Sequence, residues 1–188
     1  MKRTTFLAAL LATFALAAPL TSCTNDDEGQ ENVETHTVAK QEVAYTISIA
    51  PGTASKPSIS DLADVTLHLV DNSGAEKTTT LKNGKGTLSI TLTTFPQNVR
   101  VYSSATLKDG VTIDPNASYL TDIEVECRVI TSYKEGYTKG YLDSNTFSNT
   151  YKAEIVRDYI EKWTERFRST LEFDENGVFK NPTPVGED

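Results

Sequence analysis

The chain is poor in the side chains that carry most protein chemistry. Its 188 residues include two Cys, two His, one Met and one Trp. So few soft ligands exclude zinc ribbons, iron–sulfur clusters and a disulfide framework. Basic charge is also short: 18 Lys and Arg face 26 Asp and Glu, a net of −8. Phosphate contacts need clustered Lys and Arg, so nucleic acid is not an expected partner. There is no GxSxG elbow, no HExxH and no GxxxxGK(S/T) loop. These are local signatures of serine hydrolases, zinc proteases and nucleotide binders. His36 falls in a polar N-terminal stretch and His68 on the polar face of a predicted strand. The chain reads as non-catalytic, with no cofactor and no metal.

One long apolar run exists, Thr4 to Pro19, preceded by Lys2 and Arg3. It is short of the roughly 20 apolar residues that a spanning helix needs. A positive start followed by a short apolar run is the layout of a secretory signal. Leu20-Thr21-Ser22-Cys23 closes it. These four residues resemble the lipobox of bacterial lipoproteins. The resemblance implies diacylation of Cys23, cleavage before it and N-acylation of the new terminus. The membrane is then a partner through a lipid anchor at Cys23, because two or three acyl chains give stable anchoring. Thr24-Asn25-Asp26-Asp27-Glu28 resembles the export signal of surface lipoproteins in Bacteroidetes-type bacteria. That resemblance implies the outer membrane and display on the cell exterior. The same five residues also read simply as a solvated tether.

Cleavage removes residues 1–22, with Lys2 and Arg3 and no acid, leaving 16 basic against 26 acidic side chains and a net of −10. Cys127 becomes the only unmodified thiol. It alternates with Ile123, Val125 and Val129, the pattern of a buried, inert Cys. Residues 23–41 predict a lipidated acidic tether, since Asp26, Asp27, Glu28, Glu31 and Glu34 come with almost no large apolar residues.

From Glu42 to Lys180 the sequence predicts a single β-rich domain. Val43, Tyr45, Ile47 and Ile49 alternate with small polar residues, as do Val65, Leu67 and Leu69, then Leu88, Ile90 and Leu92. Val99 with Val101, and the segment Ile123 to Val129, continue the period of two. That period marks strands with one wet face. Asp71-Asn72-Ser73-Gly74, Asn83-Gly84 and Asp114-Pro115-Asn116 supply turns, and Asn-Gly is the strongest short hairpin signal. Roughly seven antiparallel strands predict an immunoglobulin-like β-sandwich. One antiparallel sheet backed by a C-terminal helix satisfies the same pattern.

That amphipathic helix is predicted over about 150–169, with Asn149 or Thr150 as its cap. Ile155, Tyr159, Trp163 and Phe167 recur every four residues, flanked by Val156, Ile160 and Leu171. An aromatic stripe at this spacing reads as core. Leu171 to Phe173 and Val178-Phe179, separated by Asp174-Glu175-Asn176-Gly177, predict a small hairpin, and 181–188 a flexible tail.

The candidate binding residues are Tyr133, Tyr137, Tyr141 and Phe147, interleaved with Lys134 and Lys139. Aromatic faces with polar tips stack on sugar rings and anchor protein interfaces. The same rings could instead pin a Gly-containing connection onto the sheet. Glu124 and Glu126 share a strand face, as glycosidase carboxylates can, but such pairs are common on solvated faces. The turns at Asp71 and Asp174 do not extend into a twelve-residue calcium loop.

Two function classes follow. The first is a surface-tethered binding or adhesion module, with a glycan or an envelope protein as partner. It resembles, in location and architecture, the accessory lipoproteins of Bacteroidetes polysaccharide uptake. The second is a structural or assembly component of a fimbrial or envelope complex, since fimbrillin-like lipoproteins resemble this combination of lipobox and β-sandwich. Their two-domain form is longer, and no Arg lies between Cys23 and Arg100 for a trypsin-like maturation cut.

Overall fold

A computed structural model describes residues 36–180. The lipobox, Cys23, most of the predicted tether and the 181–188 tail lie outside the described residues. The fold is mainly β and antiparallel. One sheet joins β1 (Val38–Ile49), β4 (Lys85–Leu92), β7 (Ile123–Tyr133) and β8 (Thr138–Phe147) in the order β4-β1-β7-β8. The other joins β2 (Ala63–Val70), β3 (Glu76–Thr80), β5 (Gln97–Leu107), β10 (Arg168–Phe173) and β11 (Phe179–Lys180) in the order β11-β10-β5-β2-β3. A small pair, β6 (Ser118–Leu120) with β9 (Thr150–Lys152), stands beside them. The helices are α1 (Ile59–Leu62), α2 (Ala153–Glu161) and α3 (Trp163–Arg166). Eleven strands among the described residues replace the roughly seven expected, because β6 and β9 are only three residues long and β8, largely exposed on both faces, shows no apolar period; the hairpin expected at 171–179 is β10 with β11.

The alternation does what period two requires. Val43, Tyr45, Ile47 and Ile49 of β1 meet Val65, Leu67 and Leu69 of β2 and Val99 and Val101 of β5 in one buried cluster. The two sheets are therefore the layers of a sandwich. Cys127 is buried in that cluster, where burial first and Asp143 second push its thiol up to about 12.

Three boundaries depart from the sequence reading. The fold begins at Val38, not Glu42, so the expected tether overlaps β1. Gln41 is fully buried yet satisfied: its Nε2 donates to the Gly177 carbonyl at 2.7 Å and its Oε1 accepts from Thr131 Oγ1 at 2.9 Å. A buried polar residue with partners is stable, but it breaks the apolar count by which strands are recognised.

The predicted 150–169 helix is two short helices, α2 and α3, between β9 and β10. Lys152, not Asn149 or Thr150, occupies the start of α2, with no side-chain cap. The buried stripe runs through Val156, Tyr159, Ile160, Trp163 and Phe167, while Ile155 is 45% exposed. Arg168 to Phe173 is claimed by strand pairing with β5, which is a tertiary interaction.

The Asn83-Gly84 turn has both central residues at positive φ, 51° and 73°, and Lys82 and Lys85 exchange backbone hydrogen bonds across it. It does not make a hairpin ladder. β3 pairs with β2 and β4 pairs with β1, so the turn carries the chain from one sheet to the other and closes that side of the sandwich. A Cβ on Gly84 would sit 2.4 Å from the Ile49 carbonyl oxygen, so only glycine fits.

Candidate functional site

The structure divides the four candidate aromatic residues among three places. Tyr133 and Tyr137 flank the β7–β8 turn and stack, with centroids 4.4 Å apart. His36 meets both edge-on, at 5.8 and 4.8 Å. Backbone bonds complete this clip: Lys134 N donates to the Thr37 carbonyl at 2.9 Å, and Thr37 N to Glu135 Oε1 at 3.1 Å. That amide holds the Glu135 carboxyl below its usual range. The two rings staple the chain where it enters β1. Tyr141 packs on Phe179 of β11 at 5.0 Å. Phe147 packs on Phe167 at 5.3 Å and lines a pocket of about 220 Å³ with Asn149, Tyr151, Tyr159 and Arg166. Among the described residues the four rings lie in three separate contacts and not in one cluster.

A different surface gathers more chemistry. The outer face of the five-stranded sheet carries the residues that alternate with its core. Register arranges them in ranks across the strands. One rank is Thr78, His68, Tyr102 and Arg168 on β3, β2, β5 and β10. The next is Glu76, Val70, Arg100 and Thr170. A third is Thr80, Thr66 and Ser104. Neighbours across strands are about 5 Å apart, so each rank is a row of touching side chains.

Tyr102 is the best-held member. Its ring lies parallel to the His68 imidazole, 2° between planes and 4.4 Å between centroids. Its hydroxyl donates to Glu76 Oε1 at 2.8 Å. The same Oε1 lies 2.8 Å from His68 Nδ1, and His68 Nε2 lies 2.9 Å from Ser104 Oγ. Accepting from Tyr102 first and His68 second holds the Glu76 carboxyl below its usual range, and the same bond raises the Tyr102 phenol.

Beside this network runs a groove of about 430 Å³, lined by Arg100, Tyr102, Arg168, Ser169 and Thr170 with Thr164 of α3. Neither Arg100 nor Arg168 makes a salt bridge within 4 Å of a carboxylate among the described residues. Two guanidiniums without such partners, Arg168 across from a fixed phenol and Arg100 two residues along its strand, form a site for an acceptor-rich ligand.

Ser104, His68 and Glu76 are connected in the order of a serine-hydrolase relay. The surroundings do not complete one. The groove reaches Tyr102 but not His68 or Ser104. Backbone amides along β2 and β5 lie in the ladder and cannot converge on a carbonyl oxygen above the sheet. The relay therefore acts as a brace on Tyr102. Among the described residues no group of three His, Cys, Asp or Glu could hold a metal ion.

Sequence reasoning placed His68 on a wet face and stopped there. Arg100 and Tyr102 are ordinary outward residues of β5, and Arg168 falls within the predicted helix although it lies on β10. The signal in the chain is the parity that Arg100 and Tyr102 share. It becomes a site only once β2, β5 and β10 are known to be neighbours. No family model, no curated protein and no solved structure matches this chain.

Proposed function

We propose that the protein is a lipoprotein anchored in the outer membrane through Cys23, facing the cell exterior, and acting as a non-catalytic binding module for an acidic glycan. The observation that carries the reading is the groove beside the braced Tyr102, with Arg100 and Arg168 in its wall. Holding Tyr102 in place before binding lowers the entropy lost on complex formation. The hydroxyls of Thr164, Ser169 and Thr170 both donate and accept, as sugar hydroxyls do. The guanidiniums favour a sugar bearing a carboxylate or sulfate. On a chain of net −8, such a local basic site selects its ligand against the field of the rest of the molecule.

The test is a glycan array of neutral and acidic oligosaccharides probed with the detergent-solubilised full chain. Acidic glycans should bind, and Arg100→Ala with Arg168→Ala should abolish binding while the far-UV circular dichroism stays unchanged. Binding of neutral glycans alone, or binding indifferent to both substitutions, refutes the assignment of the groove. Replacing Cys23 with Ala should move the protein from the membrane fraction to the soluble fraction; retention in the membrane refutes the anchor. The open edge of β8 favours a second reading, a structural component of a fimbrial or envelope assembly.

A further inference from the structure

Among the described residues no strand pairs with the outer edge of the four-stranded sheet at β8. β8 pairs with β7 on one side in an unbroken ten-residue register, from Thr138 opposite Ser132 to Phe147 opposite Ile123. It carries no Pro. Most of its residues are exposed on both faces. Its counterpart β4, on the far edge of the sheet, lies against β2 and β3. Among the described residues six large apolar side chains are exposed, and two of them, Leu142 and Phe147, lie on β8. Natural edge strands are blunted by bulges, prolines or inward charges; β8 has neither bulge nor Pro, but its Lys139 and Asp143 share the core-facing parity of Tyr141, so a strand added here must meet those two charges. A long straight edge with apolar side chains is a template for another strand.

The charges on β8 name the strand that fits. Lys139 and Asp143 are its only ionic residues. Neither makes a salt bridge among the described residues. They are four residues apart on an extended strand, about 13 Å, too far to reach each other within one chain. We propose that β8 pairs antiparallel with β8 of a second copy, about a two-fold axis at Tyr141, making one continuous eight-stranded sheet. In this register Lys139 lies opposite the partner's Asp143 and Asp143 opposite the partner's Lys139. Leu142, the most exposed of the large apolar residues at 58%, lies opposite the partner's Gly140. A Cβ built on Gly140 meets nothing within 4 Å, so the glycine leaves room for the leucine. Only the register centred on Tyr141 brings both opposite-charge pairs and both Gly–Leu pairs together. The two-fold axis makes the contact self-complementary and closed, so it stops at a dimer. Other segments of this chain are less suited to the edge: residues 181–188 contain two Pro, and residues 24–35 are acidic with a Gly.

The test is sedimentation of the detergent-solubilised full chain across the micromolar range, with circular dichroism as the control for folding. Both charges are on an exposed edge, so their variants fold. The wild type should show a concentration-dependent dimer. Lys139→Glu alone should weaken it by about tenfold, since like charges then face each other twice. Combining Lys139→Asp with Asp143→Lys should restore the affinity to within about threefold. A mixture of Gly140→Cys and Leu142→Cys proteins should form a mixed disulfide under mild oxidation, with neither variant cross-linking as readily to itself. A monomer at every concentration overturns the proposal. So does a dimer indifferent to Lys139→Glu, or a charge reversal that fails to restore it. None of these outcomes depends on whether the groove at Tyr102 binds a glycan.

Discussion

Ser103 sits in a buried hydrogen-bonded chain that joins both sheets to α3, and breaking it tests the packing directly. Trp163 Nε1 donates to Ser103 Oγ at 2.7 Å. Ser103 N and the Tyr45 hydroxyl both donate to the Phe167 carbonyl, at 3.1 and 3.2 Å. Trp163 and Ser103 are fully excluded from solvent and Tyr45 is 2% exposed. Burial raises the Tyr45 phenol well above its ordinary range, so it stays a neutral donor. Ser103→Ala leaves the indole N–H without its partner. An unsatisfied buried group costs about 1–3 kcal/mol, and the loss should be of that size. Trp163→Phe opens a cavity and strands one acceptor on Ser103, a loss of about 2–4 kcal/mol. In the double variant the unpaired indole N–H no longer exists. The combined loss should therefore fall short of the sum by about 1–2 kcal/mol. Urea unfolding followed by far-UV circular dichroism measures all four corners of the cycle, independently of the tryptophan signal. Either single change costing under about 0.5 kcal/mol, or strict additivity, refutes the chain as drawn.

Further outcomes follow from single sites. The Glu76 carboxyl is depressed in the folded state by Tyr102 and His68, so its contribution is complete above the unfolded carboxylate range and is lost as pH falls through the folded value. Urea midpoints of Glu76→Gln and wild type should thus differ most near pH 7 and converge in acid; a gap that widens in acid contradicts the network. The Cys127 thiol, pushed up to about 12, should resist alkylation at pH 8 in the folded protein and react only on unfolding, with stoichiometric native labelling as the contrary result. Gly177 has φ +76° and a Cβ there would lie 2.7 Å from the Phe95 ring. Gly177→Ala should cost about 1–3 kcal/mol in thermal unfolding, and an unchanged melting temperature would show that Phe95 yields.

Much of the fold was legible because burial imposes a simple period. β1, β2, β5 and β7 each alternate over most of their length, and each buries the face that the alternation names. Trp163, Tyr159 and Phe167 were legible as core for the same reason at helical spacing. The helix ends were not. Arg168 and Ser169 have no local mark that separates them from the helix, and pairing with β5 decides their state; Leu171 to Phe173 was legible as one arm of a hairpin. The Asn83-Gly84 turn was legible as a turn, but its two flanking strands joined different sheets. Local φ preferences choose a turn; they do not choose which strand is bonded next.

The scarcity of Cys, His and basic residues, the apolar leader ending at Cys23 and the two-residue period are properties of the chain alone. They rest on composition and local geometry, so they set the fold class and the expected address without reference to any neighbour. The candidate site is of another kind. Tyr133, Tyr137, Tyr141 and Phe147 are close in sequence, yet β8 runs away from its turn and separates them by strand length. His68, Glu76, Tyr102, Arg100 and Arg168 span a hundred residues, yet register sets them side by side. A strand tells which face a side chain takes, and only the order of strands in the sheet tells which side chains meet.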